Sequence, residues 1–123
     1  VSERLDVTEF LVDCRVVVVT VRGVLDLDSC PVLQVRLAHA VALRQPPRLA
    51  IDLSGLTSAD SFGLTVLLAT ERHVRSAGGR LVVCEPGDLL WRTFRDRGLD
   101  RVLDTRQTLA AAVRDLQDGR RAG

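Results

Sequence analysis

Two groups of side chains in the 123-residue sequence have types that can do chemistry. Asp26 and Asp28 form one; Asp52, Ser54, Ser58, Asp60 and Ser61 form the other, some thirty positions later. Carboxylates beside serine hydroxyls suit nucleotide binding, nucleophilic attack by an activated serine, or docking controlled by a charge placed on the serine. Nucleotide binding lacks a cradle, since neither a P-loop nor G-x-G-x-x-G occurs. Ala59-Asp60-Ser61-Phe62-Gly63 is one residue away from the G-x-S-x-G elbow of serine hydrolases. A hydrolase also needs a base within hydrogen-bond reach. His73 lies about 18 Å further along the same expected helix, at 1.5 Å per residue. His39, the other histidine, falls near the end of the preceding helix, toward the opposite rim.

The controlled serine fits better. Ser61 is expected to open a helix, where unpaired N–H groups and the macrodipole favour an anion. A phosphate there adds about −1.5 to −2 charges. The domain itself tolerates them through the helix N–H groups; a partner surface with a facing carboxylate or an apolar patch does not. Two unit charges at 4 Å are worth on the order of 4 kcal/mol at an effective dielectric of ~20. Gly63 leaves the first turn without a side chain, which implies close backbone approach there.

The elements that must position these residues follow from the apolar pattern. Leu5–Val12 and Arg15–Arg22 read as strands joined by a tight turn at Asp13-Cys14, with Gly23 ending the second. Asp28 or Ser29 caps a helix carrying Leu33, Leu37, Ala40 and Val41, which Pro46-Pro47 stops. Leu49–Leu53 is a short buried strand, 54–60 a polar loop, and a second helix runs from Ser61 to Gly78-Gly79. Leu81–Cys84 is a strand, Asp88 caps a helix that Gly98 stops, Val102-Leu103 is a short strand, and Thr105 caps a last helix. Residues 119–123 read as frayed. After the hairpin, strands and helices alternate, so the sheet is mostly parallel, with the first strand antiparallel at or near an edge. The strands on either side of the first helix then end at one rim. Asp26, Asp28, Asp52, Ser54, Ser58, Asp60 and Ser61 are expected to converge there, where open α/β sheets bind ligands. Asp28, Asp60 and Ser61 are also good helix caps.

Composition bounds the rest. Seventeen Arg against sixteen acids give a net charge of +1, which argues against a nucleic-acid coat. There is no apolar run of membrane-spanning length and no export signal, so a cytoplasmic protein is expected. Cys14, Cys30 and Cys84 lack metal or disulfide spacing and read as small buried hydrophobes.

Gly23-Val24-Leu25-Asp26, Asp52-Leu53-Ser54-Gly55-Leu56 and Asp60-Ser61-Phe62-Gly63-Leu64, in this order and spacing, resemble the STAS domain, and more closely the bacterial anti-sigma factor antagonists. Gly79-Arg80-Leu81-Val82-Val83 and Gly98-Leu99 extend the likeness over essentially the whole chain. The resemblance implies a single α/β STAS domain over 1–123, with 5–118 as its ordered core. Its mixed, mostly parallel sheet has four to five strands, with about four helices. It also implies a non-enzymatic regulator that binds an anti-sigma factor, usually a serine kinase of the histidine-kinase-like ATPase type, and so frees a sigma factor. The kinase phosphorylates a serine to release the antagonist, and a phosphatase restores it. By this resemblance the acceptor is Ser61, preceded by the matching acid Asp60. Asp26 matches the acid of the G-x-L-D step, and Gly63 and Leu64 match the start of the docking helix. Phe62 departs from the family's usual Ser or Thr, putting an apolar ring beside the acceptor; Ala59 is also smaller than usual. The expected docking surface comprises Asp26, Asp28, Ser54, Ser58, Asp60, Phe62, Gly63 and Leu64 around Ser61. No cofactor, metal, direct nucleic-acid contact or membrane contact is expected. The rival reading is an unphosphorylated STAS subunit of a transporter or signalling assembly.

Overall fold

The computed structural model describes residues 4–118. Val16–Val19 open strand β2 (Val16–Leu25), and all four valines are fully buried. A strand with no polar face must be covered on both sides. Here β2 pairs antiparallel with β1 (Asp6–Val12) and parallel with β3 (Arg48–Ala59). β3 continues parallel to β4 (Arg80–Cys84), and β4 to β5 (Asp104–Arg106). The five-stranded mixed sheet therefore runs β1-β2-β3-β4-β5, with β1 antiparallel at one edge. Helices α1 (Cys30–Ala42), α2 (Ser61–Ser76) and α3 (Asp88–Asp96) make the crossovers, and α4 (Leu109–Gln117) closes the chain.

The two-residue period of a strand sends alternate valines to opposite faces. Val17, Val19 and Val21 join Leu33 and Leu37 of α1, Leu67 of α2 and Phe94 of α3 in the larger core. Val16 and Val18 join Ala50, Val82 and Cys84 beneath Ala112 and Leu116 of α4. Three helices thus cover one face and α4 alone the other. Among the described residues, no helix is long and apolar enough to cross a membrane.

The structure departs from the sequence expectation in several places. β2 does not stop at Gly23; it runs through it to Leu25. Gly23 has φ +101°, and a Cβ there would come within 2.1 Å of the Arg4 carbonyl oxygen. It serves a bulge in the β2–β3 register, where glycine is the residue the backbone accepts. The stretch from Ser54 to Ala59, expected as a loop, is the outer half of β3. It pairs with β2 alone, because β4 ends at Cys84, opposite Asp52. The fifth strand is Asp104–Arg106; Val102 instead closes a 3-10 turn at Leu99–Arg101, and Leu103 is core. Thr108, not Thr105, caps α4, its hydroxyl oxygen accepting from Ala111 N at 3.1 Å. Gly87 precedes α3, with Asp88 as its first residue. Ser29 holds the position before α1 without a side-chain cap, and Asp28 is exposed. Cys14 is exposed at the β1–β2 turn, where Asp13 and Cys14 both have positive φ; only Cys30 and Cys84 are buried. The expectation for 119–123 lies outside the described residues.

Candidate functional site

The outer half of β3 and the end of β2 form a two-stranded ribbon that projects past β4. Leu25 pairs with Ala59 at its tip, Thr57 Oγ1 donates to Gly23 O at 2.9 Å, and Asp60 N donates to Leu25 O at 3.0 Å. This ties the starts of α1 and α2 to one place. Asp26 accepts from Ser29 N at 3.0 Å, and its own N–H donates to Ser29 Oγ at 2.9 Å, which fixes the loop into α1. Burial pushes the Cys30 thiol upward, and the charges of Asp60 and Asp26 push it further; both acids therefore stand close to the start of α1.

Asp60 caps α2. One carboxylate oxygen accepts from Phe62 N at 3.0 Å and Gly63 N at 3.1 Å. The expected role of helix N–H groups as the internal cradle for a Ser61 phosphate is corrected here, because Asp60 already takes two of them. Charge added at Ser61 therefore finds those two donors already occupied. Ser61 is the exposed first residue of α2, and Phe62 is 54% exposed next to it. Gly63 is buried; a Cβ there would meet Leu25 Cγ at 2.3 Å, so the glycine lets α2 sit directly on the end of β2. Leu64 is only 3% exposed and belongs to the larger core. Gly63 and Leu64 thus position the rim from below.

The ribbon brings Asp26, Asp28, Ser58, Asp60, Ser61 and Phe62 to one end. It leaves Asp52 and Ser54 behind. Asp52 lies seven positions before Ala59 on β3, roughly 23 Å at ~3.3 Å per residue, and Ser54 five positions, roughly 16 Å. Asp52 is 9% exposed and accepts from Ser54 N at 3.0 Å. It stands at the step where β4 ends: burial, then the charges of Asp52 and Glu85, push the Cys84 thiol up to about 12. The single acidic rim read from strand order is therefore two sites, separated by the overhang of the ribbon. Leu27, 58% exposed in the β2–α1 loop, adds a second apolar side chain to the Ser61 end. It went unread because an isolated loop leucine belongs to no periodic pattern. His39 is exposed and paired with Glu9, and His73 lies about 18 Å along α2 from Ser61, so neither imidazole reaches the Ser61 hydroxyl.

This end therefore carries an exposed serine, the carboxylates of Asp26, Asp28 and Asp60 and two exposed apolar side chains on an open surface. The model "Mlab, STAS domain" matches residues 12–105. The anti-sigma F factor antagonist of Paenibacillus polymyxa is 24% identical over 102 residues, covering 83% of this chain and 87% of that protein. The crystal structure of an anti-sigma factor antagonist from Mycobacterium paratuberculosis superposes with a TM-score of 0.83 at 30% identity, covering 93% of this chain and 95% of the other. The Bacillus cell fate determinant SpoIIAA in its phosphorylated form gives 0.67 at 20% identity, over 89% of this chain and 98% of the other, which is a likeness of fold.

Proposed function

This chain belongs to the STAS domain family, and from that premise we propose that it is a cytoplasmic anti-sigma factor antagonist whose docking is switched off by phosphorylation of Ser61. The partner is an anti-sigma factor with serine kinase activity. It docks on Asp26, Asp28, Ser58, Asp60 and Phe62, with Leu27 as an added contact. A phosphatase returns the protein to the docking state. Support for the role comes from relatives named anti-sigma factor antagonists.

The observation that carries the switch is the state of the α2 N-terminus. Ser61 is exposed there while Asp60 occupies the N–H groups of Phe62 and Gly63. A phosphate on Ser61 has few internal donors to neutralise it, so its charge faces the partner. Opposed by a partner carboxylate at ~4 Å it costs on the order of 4 kcal/mol at an effective dielectric of ~20, nearly a thousandfold in affinity before salt and relaxation reduce it. The fold is spared because Ser61 packs against nothing in the core. Phe62 and Leu27 supply the apolar contact that near-neutral surfaces need for a specific complex.

The test uses the cognate anti-sigma factor kinase. With ATP it adds the mass of one phosphate to the wild type and none to Ser61→Ala. Ser61→Ala retains full affinity for that kinase, and Ser61→Asp loses at least tenfold. Equal affinity of the two variants removes the switch. Phosphate transfer that persists in Ser61→Ala removes the acceptor assignment.

A further inference from the structure

Three guanidinium groups share one hollow at the opposite end of the sheet from Ser61. Arg15 closes the β1–β2 turn, Arg44 lies between α1 and β3, and Arg48 opens β3. With Gln45 and Pro46 they line a hollow of about 340 Å³. Among the described residues no carboxylate lines it. Two of the three are held from behind. Arg15 Nη1 donates to Gln117 O at 3.2 Å, and Arg48 Nη1 donates to Leu116 O at 3.1 Å, so both rest on the last turn of α4. The negative end of that helix explains why arginines gather there. It does not use them up: each commits one N–H of a five-donor fork. Arg44 is exposed and has no ion-pair partner among the described residues. Asp13, an acid on the same β1–β2 turn as Arg15, accepts from Gln117 Nε2 at 2.6 Å.

We propose that this hollow binds a phosphate-class oxyanion, carried by a small polyphosphate or by a lipid headgroup. Guanidinium forks match phosphate oxygens with paired N–H bonds, which is the recognition that distinguishes Arg from Lys. Arg15 and Arg48 are already positioned by α4, so little ordering is lost when the anion arrives. Pro46 and Pro47 stiffen the segment between Arg44 and Arg48. The hollow is open to solvent, so binding is weak to moderate and falls with salt. Two other sizeable hollows have no such single sign: in one, lined by Glu85, Asp88, Trp91 and Arg106, Glu85 accepts from Leu109 N and Arg106 is tied to Asp104 and Asp115, and in the other Glu71, Asp100 and Asp104 stand among Arg75, Arg80 and Arg101. The arginine hollow sits at the start of β3 and Ser61 follows its end, so both sites can be filled at once.

Inorganic pyrophosphate is the probe, titrated in low salt and followed by calorimetry and amide chemical shifts. The expected result is saturable binding, with shifts at Arg15, Arg44 and Arg48 and none around Ser61. Arg44→Glu lowers the affinity at least roughly tenfold, as loss of one charge-assisted contact implies, with an unchanged thermal midpoint. Arg97→Glu, an exposed arginine elsewhere, leaves binding intact. Pelleting with phosphatidylglycerol vesicles distinguishes the sources: co-sedimentation that pyrophosphate displaces identifies a headgroup site, and pyrophosphate binding without co-sedimentation identifies a soluble ligand. No saturable binding, equal binding by Arg44→Glu, or shifts centred on Ser61 overturns the proposal.

Discussion

The inner half of β3, residues 48–53, has a strand on each side and helices over both faces. The outer half, residues 54–59, has β2 on one side and, among the described residues, no strand on the other. Leu49, Ala50, Ile51 and Leu53 are at most 1% exposed, whereas Ser54, Thr57 and Ser58 are exposed. One continuous strand thus does two jobs. The inner half is core on both faces, while the outer half, with Leu56 and Ala59 packed partly against the core, carries the chain past the end of β4 to Ser61. A domain built this way keeps its exposed end apart from most of the contacts that hold it folded.

The largest expected effect tests that division directly. Ile51→Ala removes a fully buried side chain from the larger core and should cost about 2–5 kcal/mol of unfolding free energy. Ser58→Ala, on the ribbon, should stay within about 0.5 kcal/mol. Urea unfolding of both measures the contrast. A loss at Ser58 comparable to that at Ile51 would show the ribbon to be part of the core, and the division would fail.

A smaller effect is expected where the two halves meet through α2. Gly63→Ala drives a Cβ toward Leu25 Cγ, 2.3 Å away, and Leu25 is only 1% exposed. Overpacking of this kind costs typically about 1–3 kcal/mol, and the better helix propensity of Ala returns up to about 1. The net loss should be about 1–2 kcal/mol by the same urea measurement, and docking should weaken as well, because Ser61 and Phe62 shift with the helix start. An unchanged or raised stability would mean that Leu25 simply swings aside and that the glycine does not set the height of α2.

How much of this was legible follows from the same contrast. The inner strands announced themselves as continuous apolar runs, and the helices by their Pro and Gly boundaries, so element order and the antiparallel edge were readable. Asp60, Ser61 and Gly63 were readable because cap, hydroxyl and close approach are neighbours in sequence. The outer half of β3 was not, because a strand paired on one side and mostly exposed has no apolar run to detect. The separation of Asp52 from Asp60 was equally hidden: it depends on where β4 stops, which no residue of β3 encodes. β5 was misplaced because its three residues are held by ion pairs and by pairing with β4, while the apolar Leu103 just before it belongs to the core.

That last element supports the smallest prediction. The inner half of the sheet is closed at its far edge by β5, where Asp104 meets Arg80 Nη2 at 2.8 Å and Arg106 Nη1 at 3.1 Å. Among the described residues the ribbon has no ion pair of this kind. Burial alone would raise the Asp104 carboxyl; hydrogen bonds and charge from Arg80 and Arg106 outweigh it and hold the pKa below the ordinary value. A folded pKa below the unfolded one, about 3.9, means the contribution is complete at neutral pH and is lost as pH falls through the lowered value. Because the group is partly solvated, the contribution is modest. Thermal midpoints of wild type and Asp104→Asn should differ most near neutrality and converge as the pH drops below the carboxylate range. Ser58→Ala should show no such convergence, because it removes no ion pair. A difference between wild type and Asp104→Asn that stays constant down to acid pH would mean that Asp104 acts through shape alone. The edge beside the inner half would then be held no more electrostatically than the ribbon is.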